Sequence, residues 1–523
     1  MEKEYVDFPL IRENSLEKRL YQETIFNTAA NNNTLCVLPT GMGKTFIAVL
    51  LAAYRMNKLG GKILFMAPTR PLVEQHKKTF NETLEIAGDD MKVLTGKVRP
   101  GKREKEYKKG MCIFATPQCI KNDIIAGRVD LNDFTLMIFD ESHRAVKDYP
   151  YPFIAEMYMK KSENSRILAL TASPGGERKK IDQVKENLYI DEVEIRTEED
   201  SDVRPYIQDV DINWIEVHLP EEFENIRGLL KRTLKRRYKK LKKWEFTNST
   251  KLGKRDLLDI QERLRKILAT ERDPNPLVYQ GISKTAEALK IEHSLMLLET
   301  QGLTSFLQYM KRLRQQAKEG KTRAAKSVMK DGNIEVAYRK ANELIEEGVE
   351  HPKLDKLQKV VMKEYTDKED SKIIVFSHYR DSVDLIKEKL GKIKGCKPYG
   401  FVGQAGESGL SQSEQVEILD NFREGKYNCI ISTAVGEEGL DIPAVDSVIF
   451  YEPVPSEIRA IQRRGRTGRQ KSGKVTILMT KDTRDEGYYW KAKHRERKMK
   501  GILKNMRNGN DEKEQKTLGD FEG

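Results

Sequence analysis

Short apolar runs separated by helix-length polar segments recur in two series along this chain, and that recurrence limits its fold more than any other feature. Thr34-Leu-Cys-Val-Leu38, Lys62-Ile-Leu-Phe-Met-Ala67, Met111-Cys-Ile-Phe-Ala115, Leu136-Met-Ile-Phe139 and Arg166-Ile-Leu-Ala-Leu170 form the first series. Lys372-Ile-Ile-Val-Phe376, Asn428-Cys-Ile-Ile-Ser432, Asp446-Ser-Val-Ile-Phe-Tyr451 and Lys474-Val-Thr-Ile-Leu-Met479 form the second. A strand buried on both faces reads as a continuous apolar run, and parallel strands need a helical crossover between them. The pattern predicts two α/β domains built on doubly wound parallel sheets, over residues 1–204 and 351–495.

Between them, over 205–350, apolar residues return at helical spacing within long charged stretches, as in Leu257, Leu258, Ile260, Leu264, Ile267 and Leu268. This segment is expected to be a mostly helical inserted domain. The last segment, 496–523, is basic and then polar, and is expected to end disordered.

With 94 Lys and Arg against 81 Asp and Glu, the 523-residue chain carries a formal charge of +13, which suits a polyanion partner as well as a merely solvated surface. The charge is concentrated in Lys231-Arg-Thr-Leu-Lys-Arg-Arg-Tyr-Lys-Lys-Leu-Lys-Lys243, where nine of thirteen residues are basic and none is acidic. On a helix these charges surround a narrow Leu234, Tyr238 and Leu241 stripe. Lys235, Arg236, Arg237, Lys239 and Lys240 are its candidate phosphate contacts. The five cysteines form no C-x-x-C pair, so buried reduced thiols are expected rather than a zinc knuckle or a disulfide framework. No window offers the roughly 20 apolar residues of a membrane span, and the first residues lack the apolar core of a secretory signal. A cytoplasmic protein is expected.

Leu38-Pro-Thr-Gly-Met-Gly-Lys-Thr45 follows a strand run and precedes the helix-like Phe46-Ile-Ala-Val-Leu-Leu-Ala-Ala53. In that setting Thr40, Gly41, Met42 and Gly43 can wrap backbone N–H groups around phosphates. Lys44 can reach the β and γ phosphates of ATP, and Thr45 can bind Mg2+. The general pattern has Gly where this chain has Leu38, and a Gly-rich turn is the alternative. Asp140 and Glu141 follow another strand run, and adjacent carboxylates repel unless a cation or a reacting water lies between them. Asp140 is the candidate Mg2+ ligand and Glu141 the candidate base. In the second domain, Gln462-Arg-Arg-Gly-Arg-Thr-Gly-Arg469 offers Arg466 and Arg469 as positive charge for a transferred phosphoryl group once the domains close.

Taken with Arg19-Leu-Tyr-Gln22, Ala67-Pro-Thr-Arg-Pro71, Ala115-Thr-Pro-Gln118, Asp140-Glu-Ser-His143, Thr171-Ala-Ser173, Phe376-Ser377, Phe401-Val-Gly-Gln404 and Ser432-Thr-Ala-Val-Gly-Glu-Glu-Gly-Leu-Asp441, these segments resemble the ordered motifs of a superfamily 2 helicase. Val435 to Pro443 and Tyr451 to Arg459 are most similar to the archaeal Hef and eukaryotic FANCM branched-DNA helicases. The resemblance implies two RecA-like domains with a thumb-like insert that grips duplex or branched DNA. It implies that Arg19 and Gln22 read adenine, and that Gly439 and Asp441 lie at the domain interface near the ribose and metal. The resemblance further implies that Gln462 joins the catalytic set with Arg466 and Arg469, that His143, Thr171 and Ser173 couple hydrolysis to DNA movement, and that Thr69, Arg70, Thr95, Gly96, Thr116, Ser377, Gln404 and Thr433 hold the sugar-phosphate backbone. Ser142 stands where this family usually carries Ala.

Some Hef relatives add an XPF-type nuclease. Here Glu496-Arg-Lys498 matches part of its signature, Ile502 replaces an expected acid, and no nuclease is expected. A related RNA helicase or double-stranded-RNA translocase of the RIG-I and Dicer type shares most of these motifs, and an ATP-gated scaffold is the non-catalytic rival. In the last segment, Gln515, Leu518 and Phe521 resemble a peptide that binds the PCNA sliding clamp, although Glu522 stands where a second aromatic is usual.

Overall fold

The computed structural model describes residues 4–174, 178–207, 210–403, 409–433, 445–453 and 473–507. The first domain carries, among the described residues, a seven-stranded parallel sheet of order β3-β4-β2-β5-β6-β1-β7. Its strands are β1 (Thr34–Val37), β2 (Lys62–Met66), β3 (Met91–Leu94), β4 (Cys112–Ala115), β5 (Phe134–Phe139), β6 (Ile167–Thr171) and β7 (Glu192–Ile195). The central strands are buried along their length, because helices cover both faces. One core lies under the Leu20–Asn31, Lys44–Leu59 and Arg70–Thr83 helices, and the other under Pro117–Ile125 and Pro150–Lys161.

The second sheet has the order β10-β11-β9-β12-β13-β8, again parallel. Its strands are β8 (Val210–Val217), β9 (Ile373–Phe376), β10 (Pro398–Phe401), β11 (Cys429–Ser432), β12 (Ser447–Phe450) and β13 (Gly473–Thr480). The two RecA-like doubly wound domains expected from the sequence are therefore present. Strand β8 corrects the domain boundary: residues 210–217 were expected in the helical insert, and they pair along all of β13 as an edge of the second sheet.

The insert proper begins at the Glu221–Lys243 helix and packs it with Pro276–Thr300, Leu303–Lys318 and Gly332–Glu346 around one apolar core. Leu234, Tyr238 and Leu241 enter that core as expected. The insert is bound to the second domain by buried charge. Arg484 of the second domain reaches Glu292 at 2.7 Å and Glu299 at 2.8 Å in the insert, where Arg227 also meets Glu299 at 2.7 Å, and Lys353, paired with Asp485 inside the second domain where neither side chain is exposed, donates to the Thr300 carbonyl of the insert at 3.0 Å.

A second correction concerns residues 496–507. They were expected to open a basic, then disordered tail. Instead they continue the Arg484–Arg507 helix, which buries Met499 in the second core of the first domain beside Ile502 and Met506. All five cysteines are buried and free, and no helix among the described residues is long and apolar enough to cross a membrane.

Candidate nucleotide and nucleic-acid site

The phosphate loop joins the end of β1 to the Lys44–Leu59 helix. Gly41 and Gly43 both hold positive φ, at +83° and +78°. A side chain at Gly43 would also crowd Gln22 Nε2 and the Phe46 ring. The positive φ at both positions favours glycine. Gln22 Nε2 and Tyr21 Oη donate to the Met42 carbonyl, at 3.1 and 2.9 Å, and so anchor the loop to the Leu20–Asn31 helix. Arg19 lies beside them, bonded to Tyr21 Oη at 3.1 Å and Glu17 at 2.9 Å, with its guanidinium over the Tyr206 ring. Lys44 Nζ donates to the Leu38 carbonyl at 2.9 Å and the Pro39 carbonyl at 3.3 Å. Its ammonium is thus folded against the loop a triphosphate would fill.

Asp140 ends β5 two strands away in the same sheet. Its carboxylate and the Thr45 hydroxyl meet the same imidazole: His76 Nε2 lies 3.0 Å from Asp140 Oδ2, and His76 Nδ1 lies 3.3 Å from Thr45 Oγ1. Burial alone would push the Asp140 carboxyl up; the His76 hydrogen bond and the Lys44 charge hold it below the usual carboxylate range. The two candidate Mg2+ ligands are therefore linked through one imidazole, one hydroxyl on Nδ1 and one ionised oxygen donor on Nε2, and together they are the hard donor set Mg2+ takes beside phosphate oxygens. The residues fit the ion.

Glu141 adopts left-handed backbone geometry, φ +49° and ψ +46°, a conformation seldom held by a non-glycine residue and concentrated at functional sites. His143 Nδ1 is 3.3 Å from Glu141 Oε2 and 3.2 Å from Thr171 Oγ1, and Thr171 Oγ1 accepts the Ser173 backbone N–H at 3.1 Å. The chain of contacts continues to the distal helix, where Ser173 Oγ lies 3.0 Å from Met499 Sδ. Ser142 is fully buried, and its hydroxyl finds no hydrogen-bond partner among the described residues.

The backbone-gripping candidates collect elsewhere on the same sheet edge. Thr69, Thr95 and Thr116 follow the carboxyl ends of β2, β3 and β4, three adjacent strands, and Gly96 and Arg70 adjoin them. Ser377 and Thr433 follow β9 and β11, neighbours in the second sheet, and the buried Ser377 hydroxyl also lacks a partner among the described residues. Arg70 pairs with Glu74 at 2.7 Å. A cavity of about 480 Å3 opens between Arg70, Glu74 and Lys97 of the first domain and Glu417 and Asp420 of the second.

In the insert, Lys235, Arg236, Lys239 and Lys240 are exposed. Arg237 departs from the expected set. Its guanidinium is buried against Asp331 at 2.5 Å and Glu287 at 3.3 Å, because its helical position faces the Pro276–Thr300 helix rather than solvent. Gln404, Gly439, Asp441, Gln462, Arg466, Arg469, Gln515, Leu518 and Phe521 lie outside the described residues.

Sequence reasoning passed over His76. The signal was present: Val73, His76, Phe80 and Thr83 are the inward positions of their helix, and an imidazole in such a stripe has polar partners to find.

Comparison with known proteins agrees with this geometry. The DEAD/DEAH box helicase family matches residues 19–181, and the helicase conserved C-terminal domain matches 352–471. The Pyrococcus furiosus Hef helicase domain, a solved structure, superposes with a TM-score of 0.70 at 43% identity, covering 90% of this chain and 97% of that one. The chain belongs to the superfamily 2 ATP-dependent helicases of the Hef and FANCM type. A Methanocaldococcus jannaschii protein named "Putative ATP-dependent RNA helicase MJ1505" is 44% identical over 96% of this chain and 63% of its own length. The Neurospora crassa ATP-dependent DNA helicase mph1 is 34% identical over 90% of this chain and 41% of its own. This superfamily 2 chain thus spans less than two thirds of the length of these curated relatives. Residues 222–348 match a family described as "Putative ATP-dependent RNA helicase, helical bundle".

Proposed function

We propose that the chain is an ATP-dependent DNA helicase or translocase acting on branched DNA, forks and junctions, in replication-fork repair. One observation carries the reading: along the carboxyl edge of the first sheet the phosphate loop follows β1, Thr171 ends β6 with Ser173 just after it and the acidic pair follows β5, while Thr69, Thr116 and Thr95 follow the adjoining β2, β4 and β3. Open parallel sheets bind ligands at that edge. Small hydroxyls at successive strand ends suit a sugar-phosphate backbone and read no bases.

In this reading Lys44 and the loop Thr40 to Gly43 hold the ATP phosphates, and Arg19 and Gln22 face the adenine. Thr45 and Asp140 hold Mg2+, which when bound neutralises phosphate charge. Glu141 orients the attacking water, and Gln462, Arg466 and Arg469 complete the site when the domains close. Gly439 and Asp441 meet the ribose side. His143, Thr171 and Ser173 link hydrolysis to the strand held by Thr69, Arg70, Thr95, Gly96, Thr116, Ser377, Gln404 and Thr433. The insert grips duplex through Lys235, Arg236, Lys239 and Lys240. Gln515, Leu518 and Phe521 tether the motor to a PCNA-type clamp, and the protein works in the cytoplasm.

The names of the Neurospora and Pyrococcus relatives support DNA; the name of the Methanocaldococcus relative favours RNA. ATP turnover measured side by side with forked DNA, single-stranded DNA and duplex RNA separates them. Forked DNA is expected to stimulate most. Stimulation by duplex RNA with none by forked DNA would replace this reading with the RNA one.

A further inference from the structure

His76 is buried and stacked on Phe65, ring centroids 4.2 Å apart and planes within 30°. The stacking fixes the ring plane, so the directions of both nitrogens are set by the core rather than by solvent. The partners then determine which nitrogen carries a proton in the neutral ring. An ionised Asp140 carboxylate can only accept, so Nε2 holds the hydrogen and donates across the 3.0 Å contact. In that neutral tautomer Nδ1 keeps its lone pair, and the Thr45 hydroxyl, 3.3 Å away, can donate to it.

That arrangement bears on the metal. A hydroxyl binds a cation through its oxygen lone pairs, which requires its hydrogen to point elsewhere. His76 Nδ1 receives that hydrogen. The carboxylate has two oxygens, and a donor fixed on Oδ2, with the Glu141 backbone N–H on the same group, holds its orientation while leaving lone pairs for the ion or its water. Outer-shell partners of this kind orient metal ligands and tune their basicity.

We propose that His76 is a positioning residue for Mg2+·ATP: one imidazole, clamped by Phe65, presets both the Thr45 hydroxyl and the Asp140 carboxylate for the ion. The inference rests on the ATP-site reading above and goes beyond it by assigning a residue outside the loop and the acidic pair. It also makes a chemical prediction. A Gln side chain carries one amide donor and one carbonyl acceptor, so His76→Gln can reproduce both bonds. His76→Phe keeps the stacked ring and supplies neither bond, and His76→Ala removes everything.

The test is a fluorescent-ATP binding titration on the full chain, first in EDTA and then against free Mg2+, with thermal unfolding of each variant alongside. Binding in EDTA is expected to stay within about twofold in all three variants, because the phosphate cradle is untouched. The half-saturating Mg2+ concentration should rise roughly 10- to 100-fold in His76→Phe and His76→Ala, the range typical of lost outer-shell partners. It should remain within about threefold of wild type in His76→Gln. Unchanged Mg2+ dependence in a folded His76→Phe protein overturns the proposal, as does a His76→Gln variant as impaired as His76→Phe. Failure of the underlying ATP-site reading looks different: the wild-type chain would then bind no nucleotide, or the Lys44→Ala variant would bind it as tightly as the wild type.

Discussion

The basic run of the insert divides into two kinds of cation, and the division can be tested on neighbouring residues. Eight of its nine basic side chains are exposed and Arg237 is buried. Replacing Lys235, Lys239 and Lys240 together by Gln removes three exposed charges from one helix while leaving its Leu234, Tyr238 and Leu241 stripe intact. If each contacts a phosphate, the loss lowers the slope of log affinity against log salt by about 0.7 to 0.9 per contact, or about 2 to 2.7 in all. Arg237→Ala should do the opposite. It strips a cation from Glu287 and Asp331, which are 1% and 7% exposed, and breaking a buried pair from one side costs about 3 to 5 kcal/mol. Glu287 keeps Lys284 at 2.7 Å and Asp331 keeps Arg236 at 2.7 Å, which places the cost near the lower end, about 3 kcal/mol. Fluorescence anisotropy with labelled forked DNA over a salt series reads the first effect. Amide exchange in Glu221–Lys243 and Pro276–Thr300 reads the second. A triple variant with an unchanged salt slope would reduce the run to a solvated face. An Arg237→Ala protein with native exchange protection and a reduced slope would show that the buried pairs are not the resting place of that side chain.

Lys44→Ala should abolish ATP turnover, whereas Glu141→Gln should bind ATP and hydrolyse it slowly, because only the first change touches the phosphate cradle; single-turnover assays with labelled ATP distinguish them. Ser142→Ala should stabilise the first domain by about 1 kcal/mol in chemical denaturation, since it removes a fully buried hydroxyl that has no partner among the described residues. His351, fully buried beside Lys353, is pushed down to about 3 by burial and then by that charge. The unfolded chain therefore binds a proton near pH 6.5 that the folded chain refuses, and stability falls by up to about 1.4 kcal/mol per pH unit between about 6.5 and 3. His351→Asn, which keeps an N-cap acceptor for Pro352–Asp367, should lose that dependence; parallel acid curves for variant and wild type would refute it.

What the sequence disclosed follows the physics of burial. The nine apolar runs correspond to β1, β2, β4, β5, β6, β9, β11, β12 and β13, and these are the interior strands of the two sheets. The four strands that pattern reading passed over, β3, β7, β8 and β10, are the four sheet edges. Edge strands are covered less completely, so sequences such as Glu-Val-Glu-Ile at β7 need no continuous apolar run. The phosphate loop and the acidic pair were legible because their chemistry is local to a few residues. Arg237 and His76 were not, because what decides each role lies far along the chain: Asp331 and Glu287 for one, Asp140 and Thr45 for the other. The Arg484–Arg507 helix was misjudged at its far half for a related reason. Its Lys and Arg content reads as tail, while the sparse Met499, Ile502 and Met506 find their partners in the first domain.

That helix also ties the two α/β domains together with unequal strength at its two ends. At its first turn Arg484 and Asp485 are held by Glu292, Glu299 and Lys353, all of them buried or nearly so, and losing one member of such a network costs about 3 to 5 kcal/mol. At Met499, about 22 Å further along at 1.5 Å per residue, the attachment to the first domain is one buried thioether against Ser173 and two partly buried apolar side chains. Burial of a methionine contributes about 1.5 to 3 kcal/mol. The near end is therefore the stronger, and the helix, the second domain and the insert form the unit that stays together when the domains separate. Separation of the domains is therefore expected to start at Met499. Its partner Ser173 is two residues from Thr171, which His143 touches beside Glu141, so the first contact to give way on opening is the one nearest the acidic pair.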